Sequence, residues 1–304
     1  MITINGLSKS YGRRQPRAIQ GVDFQVNDGE IVGFVGLNGA GKTTTIRVAA
    51  GVSLPTEGSV TVDGHNIVEA KAEASALIGW VPELPNFELN EKALSLMKYF
   101  SGFYGVPPSD AQAKSLELLA AVGLAGAEKK KLREYSQGMK KRFSLAASML
   151  SDPKNFLFDE LLNGLDPAGI HYFRNLVLDL RKQGKAVLLS SHILSEVENL
   201  ADRVVFIHKG KVVKTVGIHD LGAAGTDRLR VTIQNLDDGA VSFLKTLGDV
   251  SAEGNQVRLA SPKLEASEVN AQLVKKGYLV SELAKEKTGL EDYFFDLVKA
   301  ADGG

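Results

Sequence analysis

One stretch of the sequence combines glycine, lysine and threonine at the spacing of a phosphate-binding loop. It reads Gly36-Leu37-Asn38-Gly39-Ala40-Gly41-Lys42-Thr43 and follows the pattern G-x-x-x-x-G-K-[ST]. Its glycines allow the backbone to curl so that successive N–H groups point at phosphate oxygens, and a following helix adds the positive end of its dipole. The ammonium of Lys42 can reach the β- and γ-phosphates, and the hydroxyl of Thr43 can bind Mg²⁺. The stretch therefore predicts binding of a nucleoside triphosphate, but it does not predict which process the bound nucleotide serves.

The residues on either side of this loop have the patterns of a strand and a helix. Residues 31–35 form an uninterrupted apolar run, which is typical of a buried strand, and residues 44–50 are predicted to form a helix. A phosphate-binding loop connects such a strand to such a helix. The alternative, a glycine-rich turn that carries a lysine by chance, is disfavoured by these flanks.

A second apolar run, residues 156–158, ends in two acids, Asp159 and Glu160. A phosphate-binding loop needs a carboxylate at a neighbouring strand end to hold Mg²⁺ through its water shell, and Asp159 fits this role. The next residue, Glu160, lies where it could activate an in-line water as a general base. The alternative is that two acids open a surface loop, which is less favoured in a chain with a phosphate-binding loop.

Two further signals are weaker when each is taken alone. Ser190, Ser191 and His192 follow a buried strand predicted at residues 186–189, and the imidazole of His192 could hydrogen-bond a γ-phosphate. A lone histidine at a strand end is more often structural. Ser136 opens a helix in a capping position, and with the amide of Gly138 it could form a second phosphate-binding site; the alternative is a simple helix cap.

The composition limits the class of protein. The chain has 304 residues, 44% of them apolar and 24% charged, with a formal net charge of +0. This is the composition of an ordinary globular protein, and it gives no support to nucleic-acid binding. The absence of cysteine excludes disulfides and thiolate metal sites. We expect neither a signal peptide nor a membrane span, so that any work at a membrane would need another chain to cross it.

The elements that must position these residues alternate along the chain. Strands and helices alternate over residues 1–220, which predicts an α/β domain with a mostly parallel sheet covered on both faces. A purely helical pattern at about 85–150 predicts a helical subdomain inserted into it. Residues 222–226 are predicted to be a linker. Shorter strands and helices over residues 226–304 predict a small C-terminal α+β domain.

Taken together, the order and spacing of these motifs resemble the ATP-binding subunit of an ABC transporter, over about residues 1–220. The matching segments are the Walker A motif at 36–43, the signature region at 135–139, the Walker B motif at 156–159 with the catalytic glutamate Glu160, the D-loop at 163–166 and the H-loop at His192. Residues 289–294 resemble the end of the ABC-2 exporter-like branch. The fold implied is a P-loop NTPase of the ABC ATPase type with a helical subdomain.

The sequence departs from the family pattern at three points. The signature region reads Tyr135-Ser136-Gln137-Gly138-Met139, which keeps the serine and the second glycine. Glu83 stands where most members have glutamine, so that it can approach Mg²⁺ but adds negative charge near the phosphates. Leu161 replaces the proline that usually follows the catalytic glutamate.

The resemblance implies an ATPase whose cofactors are ATP and Mg²⁺. ATP would be bound by Tyr11, which stacks on adenine, and by Gly36, Asn38, Gly39, Ala40, Gly41, Lys42, Thr43, Thr44, Ser136 and Gly138. The metal would be held by Thr43, Asp159 and Glu83, and the catalytic residues would be Glu160 and His192.

The resemblance also implies partners and a location. Two ATPase subunits, identical or paired, would bind two ATP between them, and both would dock on a separate transmembrane permease at the cytoplasmic face of the membrane, with transport in the direction of export. We expect no nucleic-acid partner. One alternative is a soluble ABC ATPase of DNA repair or translation that works without a permease. Another is a non-hydrolysing regulatory member, against which the presence of Glu160 and His192 argues.

Overall fold

The computed structural model describes residues 1–12, 16–224, 228–286 and 289–302. The chain divides into two compact units, Met1–Gly217 and Ile218–Gly304. The elements of the first unit, in chain order, are β1 Ile2–Lys9, β2 Ile19–Val26, β3 Ile31–Val35, α1 Lys42–Ala49, β4 Glu57–Val62, β5 His65–Asn66, α2 Lys71–Ala76, β6 Ile78–Val81, α3 Ala93–Phe103, α4 Pro108–Ala121, a 3₁₀ turn Leu132–Glu134, α5 Gln137–Ser148, β7 Asn155–Asp159, α6 Pro167–Lys182, β8 Ala186–Ser191, α7 Leu194–Leu200, β9 Arg203–His208 and β10 Lys211–Gly217.

The main sheet of the first unit has six strands in the order β10-β9-β3-β8-β7-β6. All of its neighbouring pairs are parallel except β9 and β10, which form an antiparallel hairpin. Every residue of β3, β7 and β8 is buried, as expected for central parallel strands with both faces covered. The register pairs Asp159 with Ser190 and Val35 with Ser191, so that the carboxyl ends of β3, β7 and β8 meet at one edge.

A second, antiparallel sheet of the first unit has the strand order β2-β1-β4-β5. Apolar residues of this sheet, of α1 and of β3, β8 and β9 share one hydrophobic core. Ile46, Val48 and Ala49 are the buried apolar residues of α1 in that core. Helix α1 is therefore held by both sheets, which fixes the loop at its N-terminus.

Helices α3, α4 and α5 form the helical segment predicted at about 85–150, and they lie between β6 and β7 along the chain. Helix α5 begins after Ser136, whose hydroxyl accepts a hydrogen bond of 3.2 Å from the N–H of Met139. This is the N-cap that the sequence predicted.

The second unit begins with a helix rather than a linker. Helix α8, Ile218–Ala224, includes residues 222–224, which the sequence analysis assigned to the linker, and the rest of that predicted linker, 225–226, lies outside the described residues. The prediction was wrong for residues 222–224 because it weighted Gly222 over two alanines, the residue type with the highest helix propensity.

The remaining elements of the second unit are β11 Arg228–Gln234, α9 Asp238–Leu247, β12 Asp249–Glu253, β13 Gln256–Ala260, α10 Ala266–Lys275, β14 Leu279–Glu286 and α11 Leu290–Asp302. Its sheet has the order β12-β13-β11-β14, and all pairs are antiparallel. The order β-α-β-β-α-β with this strand arrangement is the split βαβ motif. Leu229, Val231 and Ile233 of β11 alternate into a core shared with α9 and α10. None of the helices in the described part of the chain is long and apolar enough to cross a membrane.

Candidate nucleotide-binding and hydrolysis site

The phosphate-binding loop connects the end of β3 to the start of α1, as predicted. Gly39 and Gly41 have positive φ angles of 79° and 113°, which favour glycine. At Gly36 the constraint is space, because a Cβ atom there would lie 2.4 Å from the carbonyl oxygen of Ile207 in β9. Glycine is therefore needed at these positions for the loop to take this shape.

Lys42 is the first residue of α1, and only 5% of its surface is exposed. Its Nζ donates to the carbonyl oxygen of Gly36 at 2.7 Å and lies 3.2 Å from Oε1 of Glu160, which is also 5% exposed. The loop and the carboxylate of Glu160 are thus joined by one buried ion pair. The ammonium lies inside the loop, where the sequence analysis expected phosphate groups to bind.

Asp159 ends β7 and is buried. Its Oδ1 accepts hydrogen bonds from Oγ1 of Thr43 at 3.1 Å and from Oγ of Ser190 at 2.9 Å. Burial raises the pKa of this carboxyl group, and the negative charges of Glu160 and Glu83 raise it further, against the two hydrogen bonds that lower it. Asp159 and Thr43, the two residues that the sequence proposes as metal ligands, therefore present two oxygen atoms side by side.

Glu160 has a backbone conformation that is uncommon for its residue type. Its φ angle is +48°, in the left-handed region, and its N–H donates to both the carbonyl oxygen and the hydroxyl of Ser190, at 3.2 and 3.0 Å. Left-handed non-glycine residues are strained and concentrate at functional sites. Ser190 thus holds both acids of the Walker B end, a role that the sequence analysis did not assign to it.

Two side chains hold the carboxylate of Glu160. Its Oε2 lies 2.9 Å from Nδ1 of His192 and accepts a hydrogen bond of 3.1 Å from Nδ2 of Asn163. The contact with His192 is a hydrogen bond when Nδ1 carries the ring proton, which leaves Nε2 as the other contact atom. Glu160 and His192, which the resemblance proposes as catalytic residues, therefore lie in contact, and Asn163 contacts both.

Besides those of Ser190, the contacts of two further residues, Asn163 and Lys141, were not predicted from the sequence. Asn163 was assigned to the D-loop only as part of a motif, and Asn163-Gly164 after two leucines is a turn signal that places its amide close to Glu160 in sequence. Lys141 was not singled out. It is buried in α5, and its Nζ donates to the carbonyl oxygen of Glu160 at 3.1 Å. Burial lowers the pKa of Lys141, while the negative charges of Glu83 and Glu160 favour its protonated form.

A cavity of about 380 Å³ lies over the phosphate-binding loop. It is lined by Ala18, Asn38, Gly39, Gly41, Lys42, Thr43, Thr44, Glu83, Glu160, Asn163 and His192. Most of the predicted site residues thus share one cavity, including the exposed Glu83. A cavity of this size is typical of small-molecule sites.

Tyr11 lies beside this cavity, and its ring is 56% exposed. Its hydroxyl is 3.4 Å from Oγ1 of Thr44, and Nζ of Lys9 lies 5.3 Å from the centre of the ring. An exposed aromatic ring next to the loop is available for stacking on a planar base.

Ser136 and Gly138 are apart from the other predicted ATP-binding residues. Of the residues that the structure describes, those lining the cavity do not include these two. Ser136 is exposed at the start of α5, where its hydroxyl caps the helix. A single chain therefore does not place the signature serine around its own phosphate-binding loop.

Comparison with known proteins gives the same family as the motifs. The ABC transporter family model matches residues 19–163. The chain is 32% identical to the bacitracin transport ATP-binding protein BcrA of Bacillus licheniformis over 302 residues, which is 98% of this chain and 97% of that protein. It is 36% identical to the lantibiotic transport ATP-binding protein SrtF of Streptococcus pyogenes, over 70% of this chain and 89% of that protein.

Solved structures agree on the fold. The ATP-binding subunit of an ABC transporter, 26% identical in sequence, superposes with a TM-score of 0.68 over 74% of this chain and 92% of that chain. A dimeric ATP-binding cassette in a post-hydrolysis state with ADP and Pi superposes with a TM-score of 0.66 over 72% of this chain and 99% of that one; at 22% identity it bears on the fold alone.

The predicted fold class, a P-loop NTPase of the ABC ATPase type, is confirmed by these similarities. None of the relatives and structures named here supports the alternative of a soluble ABC ATPase of DNA repair or translation. The chain belongs to the ABC transporter family, as one of its ATP-binding, ATP-hydrolysing subunits.

Proposed function

We propose that this subunit hydrolyses ATP with Glu160 as the general base and His192 as its partner. The observation that carries the proposal is that the buried carboxylate of Glu160 lies 3.2 Å from Nζ of the buried Lys42 and 2.9 Å from Nδ1 of the exposed His192. In this scheme Glu160 takes a proton from water as the water oxygen bonds to the γ-phosphorus, and the bond from that phosphorus to the β-phosphate oxygen breaks. The products are ADP and inorganic phosphate.

The residues around the phosphate-binding loop suit a magnesium ion. The oxygens of Thr43 and Asp159, which lie 3.1 Å apart, are the hard donors that Mg²⁺ prefers, and Glu83 supplies a further carboxylate at the same cavity. A cluster of three or more acidic or histidine side chains that could enclose a metal is absent from the described residues. This fits an ion held mainly by the nucleotide and water, which would neutralise phosphate charge when bound.

The nucleotide site is proposed to be shared between two subunits. Lys42, Glu160 and His192 of one chain would hold the phosphates, and Tyr11 would contact the adenine. Ser136 and the amide of Gly138 at the N-terminus of α5 would contact the nucleotide of the partner subunit, because the exposed start of α5 is separate from its own cavity. ATP would then join the two subunits, and its hydrolysis would release them.

The transport role is proposed from the named relatives, which serve bacitracin and lantibiotic transport. We propose that two of these subunits dock on a separate transmembrane permease at the cytoplasmic face of the membrane and power export. The domains are proposed to be an ABC ATPase domain at 1–220, with its helical subdomain at about 85–150, and an accessory α+β domain at 226–304. Deletion of the accessory domain is expected to leave ATP binding intact.

The test of the shared site begins with Glu160→Gln, a nearly isosteric change that removes the base and one negative charge. We expect ATP binding to remain and hydrolysis to fall by roughly two to four orders of magnitude. Size-exclusion chromatography should then show an ATP-dependent dimer. Adding Ser136→Arg should abolish that dimer, whereas Ser95→Arg, at an exposed serine of α3, should leave it intact.

A mixing experiment isolates one shared site. In the Glu160→Gln background, a chain with Lys42→Ala is combined with a chain with Ser136→Arg, so that only one of the two sites keeps both of its halves. An ATP-dependent heterodimer is the expected result. A Glu160→Gln variant that binds ATP tightly and stays monomeric would contradict the shared site, and one that hydrolyses ATP at the wild-type rate would contradict the role of Glu160 as the base.

A further inference from the structure

Lys141 brings a buried ammonium group from α5 to the loop that carries the catalytic glutamate. The side chain is 6% exposed. Its Nζ donates to the carbonyl oxygens of Glu160 and Leu161, at 3.1 Å each, and to the carbonyl oxygen of Asn163. Three main-chain oxygens within residues 160–163 thus converge on one side-chain nitrogen of another element.

The number of bonds matches the chemistry of the group. A lysine ammonium has three N–H donors and no acceptor, and here each donor has one carbonyl oxygen. Buried charge without partners is unfavourable, and carbonyl dipoles arranged around an ammonium compensate for the lost water. All three donors of Lys141 are therefore paired, and its substitution would leave three carbonyl oxygens without this donor.

The loop bound by Lys141, residues 160–163, carries the proposed general base Glu160, and ATP hydrolysis depends on the shape of this loop. Glu160 lies in the left-handed region at φ +48°, a conformation that persists only where surrounding contacts impose it. Lys141 fixes the carbonyl group on the C-terminal side of this residue, and the Ser190 contacts fix its N–H on the other side. The carbonyl oxygen of Asn163 also accepts a hydrogen bond from Lys141, and its side-chain amide donates one to the Glu160 carboxylate.

Lys141 also connects this loop to the signature serine. It follows Ser136, the N-cap of α5, by five residues on the same helix, an axial distance of about 7.5 Å at 1.5 Å per residue. The N-terminal end of α5 also lies close to the residues that follow this loop, because a Cβ atom on Gly138 would lie 3.7 Å from Cδ2 of Leu165. A shift of α5 would therefore move the catalytic loop with it.

We propose that Lys141 is a positioning residue that holds the Glu160 loop in its hydrolytic shape and links it to Ser136, so that contact of α5 with the partner's nucleotide is passed to the general base. The proposal rests on the proposed function, in which Glu160 is the base and Ser136 faces the partner. It assigns to Lys141 no contact with the nucleotide. Its loss should therefore lower kcat and leave KM for ATP nearly unchanged.

The first experiment compares ATPase kinetics of the full chain with Lys141→Met and Lys141→Arg. Methionine keeps the length of the side chain but removes its donors, and we expect kcat to fall about 10- to 100-fold, the effect of displacing a catalytic group by about 1 Å, with KM changed less than about threefold. Arginine keeps the charge and several donors and should recover most of kcat. The matched control is Lys185→Met, at a lysine whose Nζ pairs with Asp152 at 2.7 Å outside the site; its kcat should equal that of wild type.

The second experiment is a double-mutant cycle with Glu160→Gln. If Lys141 acts through Glu160, Lys141→Met should not slow the residual hydrolysis of the Glu160→Gln chain further, although it slows wild type. The double variant should also still form the ATP-dependent dimer, because Ser136 is intact. A merely structural role would multiply the two effects or abolish the dimer, and either result would overturn the proposal.

The outcomes separate this proposal from the one on which it rests. If Glu160→Gln hydrolyses ATP normally, the proposed base is wrong, whatever Lys141 does. If Glu160→Gln is slow but Lys141→Met has the kcat of wild type, the positioning role is wrong. It is also wrong if Lys141→Met loses affinity for ATP by the same factor as it loses kcat. If Lys141→Met does not fold, the same cycle is run with Lys141→Gln, which is shorter, uncharged and has two N–H donors for three carbonyl oxygens. Its kcat should fall less than that of Lys141→Met but clearly below wild type, and a kcat equal to that of wild type would contradict the proposal.

Discussion

The two units of the chain both pack helices on a sheet, but they bury different kinds of side chain. Among the described residues of the first unit, four charged side chains are buried around the carboxyl ends of its central strands, namely Lys42, Lys141, Asp159 and Glu160. Within the described part of the second unit, every buried side chain is apolar. The cost of burying charge is thus confined to the first unit.

The charges of the second unit lie at its surface instead. Arg228 pairs with Asp292 and Asp296, and Arg230 pairs with Glu282, all with partners that are at least half exposed. Surface pairs of this kind contribute about 0–1 kcal/mol each. The first unit thus tolerates the unfavourable burial of charge at its strand ends, whereas the described core of the second unit is entirely apolar.

The largest expected effect comes from Lys42→Ala. The change removes the buried ammonium from the phosphate-binding loop and leaves the Glu160 carboxylate without its ion-pair partner. We expect ATP hydrolysis to fall by roughly 10³-fold or more, the range seen when a cation on the transferring phosphate is lost. Steady-state phosphate release measures the rate of hydrolysis, and binding of a fluorescent ATP analogue measures the affinity for the nucleotide. Lys185→Ala is the control. Undiminished turnover of Lys42→Ala would contradict the assignment of the buried charges of the first unit to ATP hydrolysis.

An intermediate effect, on stability alone, is expected from Leu259→Ala in the second unit. Leu259 is fully buried in the apolar core of that unit, so that truncation should cost about 2–5 kcal/mol of its free energy of unfolding. Leu279, which is 67% exposed, provides the matched control Leu279→Ala, with an effect within about 0.5 kcal/mol. Denaturant unfolding measures both. If Leu259→Ala also lowered kcat of the folded chain more than twofold, the two units would not be separate in function.

The smallest effect is expected from Glu83→Gln, because Glu83 is an exposed acid of the first unit rather than a buried one. The variant should bind ATP as wild type does and should change hydrolysis, or its stimulation by the permease, by only a few-fold. Glu117→Gln, at an exposed position of α4, serves as the control. Identical behaviour of the two variants in both assays would make Glu83 an ordinary surface acid.

The candidate site residues that lie within continuous motifs could be proposed from the sequence. The loop at 36–43, Asp159, Glu160 and His192 were proposed because their spacing and flanking strands carry the information locally, and the structure places the loop, Glu160 and His192 at one cavity. The bonds of Ser190 and Lys141 to the Glu160 loop could not be predicted, since they depend on the register of β7 with β8 and on the packing of α5. Contacts of this kind are set by tertiary structure rather than by spacing along the chain.

The fold of the second unit was predicted less completely than that of the first. The sequence predicts strands at residues 228–233, 256–259 and 278–281, which are shorter than the corresponding strands β11, β13 and β14 of the structure. Strand β12 was missed because its sequence, Asp249–Glu253, begins and ends with an acid and has four exposed residues. It is an edge strand, paired on one side only, and edge strands carry little of the hydrophobic pattern by which strands are recognised.

The place of β3 in the parallel sheet has a consequence for synthesis of the chain. This wholly apolar strand lies between β8 and β9, which are made roughly 150–170 residues later. At about 5–20 residues per second, the ribosome takes roughly 10–30 s to deliver those neighbours. For that interval the nascent chain carries an aggregation-prone segment that chaperones can bind, and a chain that stalls before residue 203 never completes its nucleotide site.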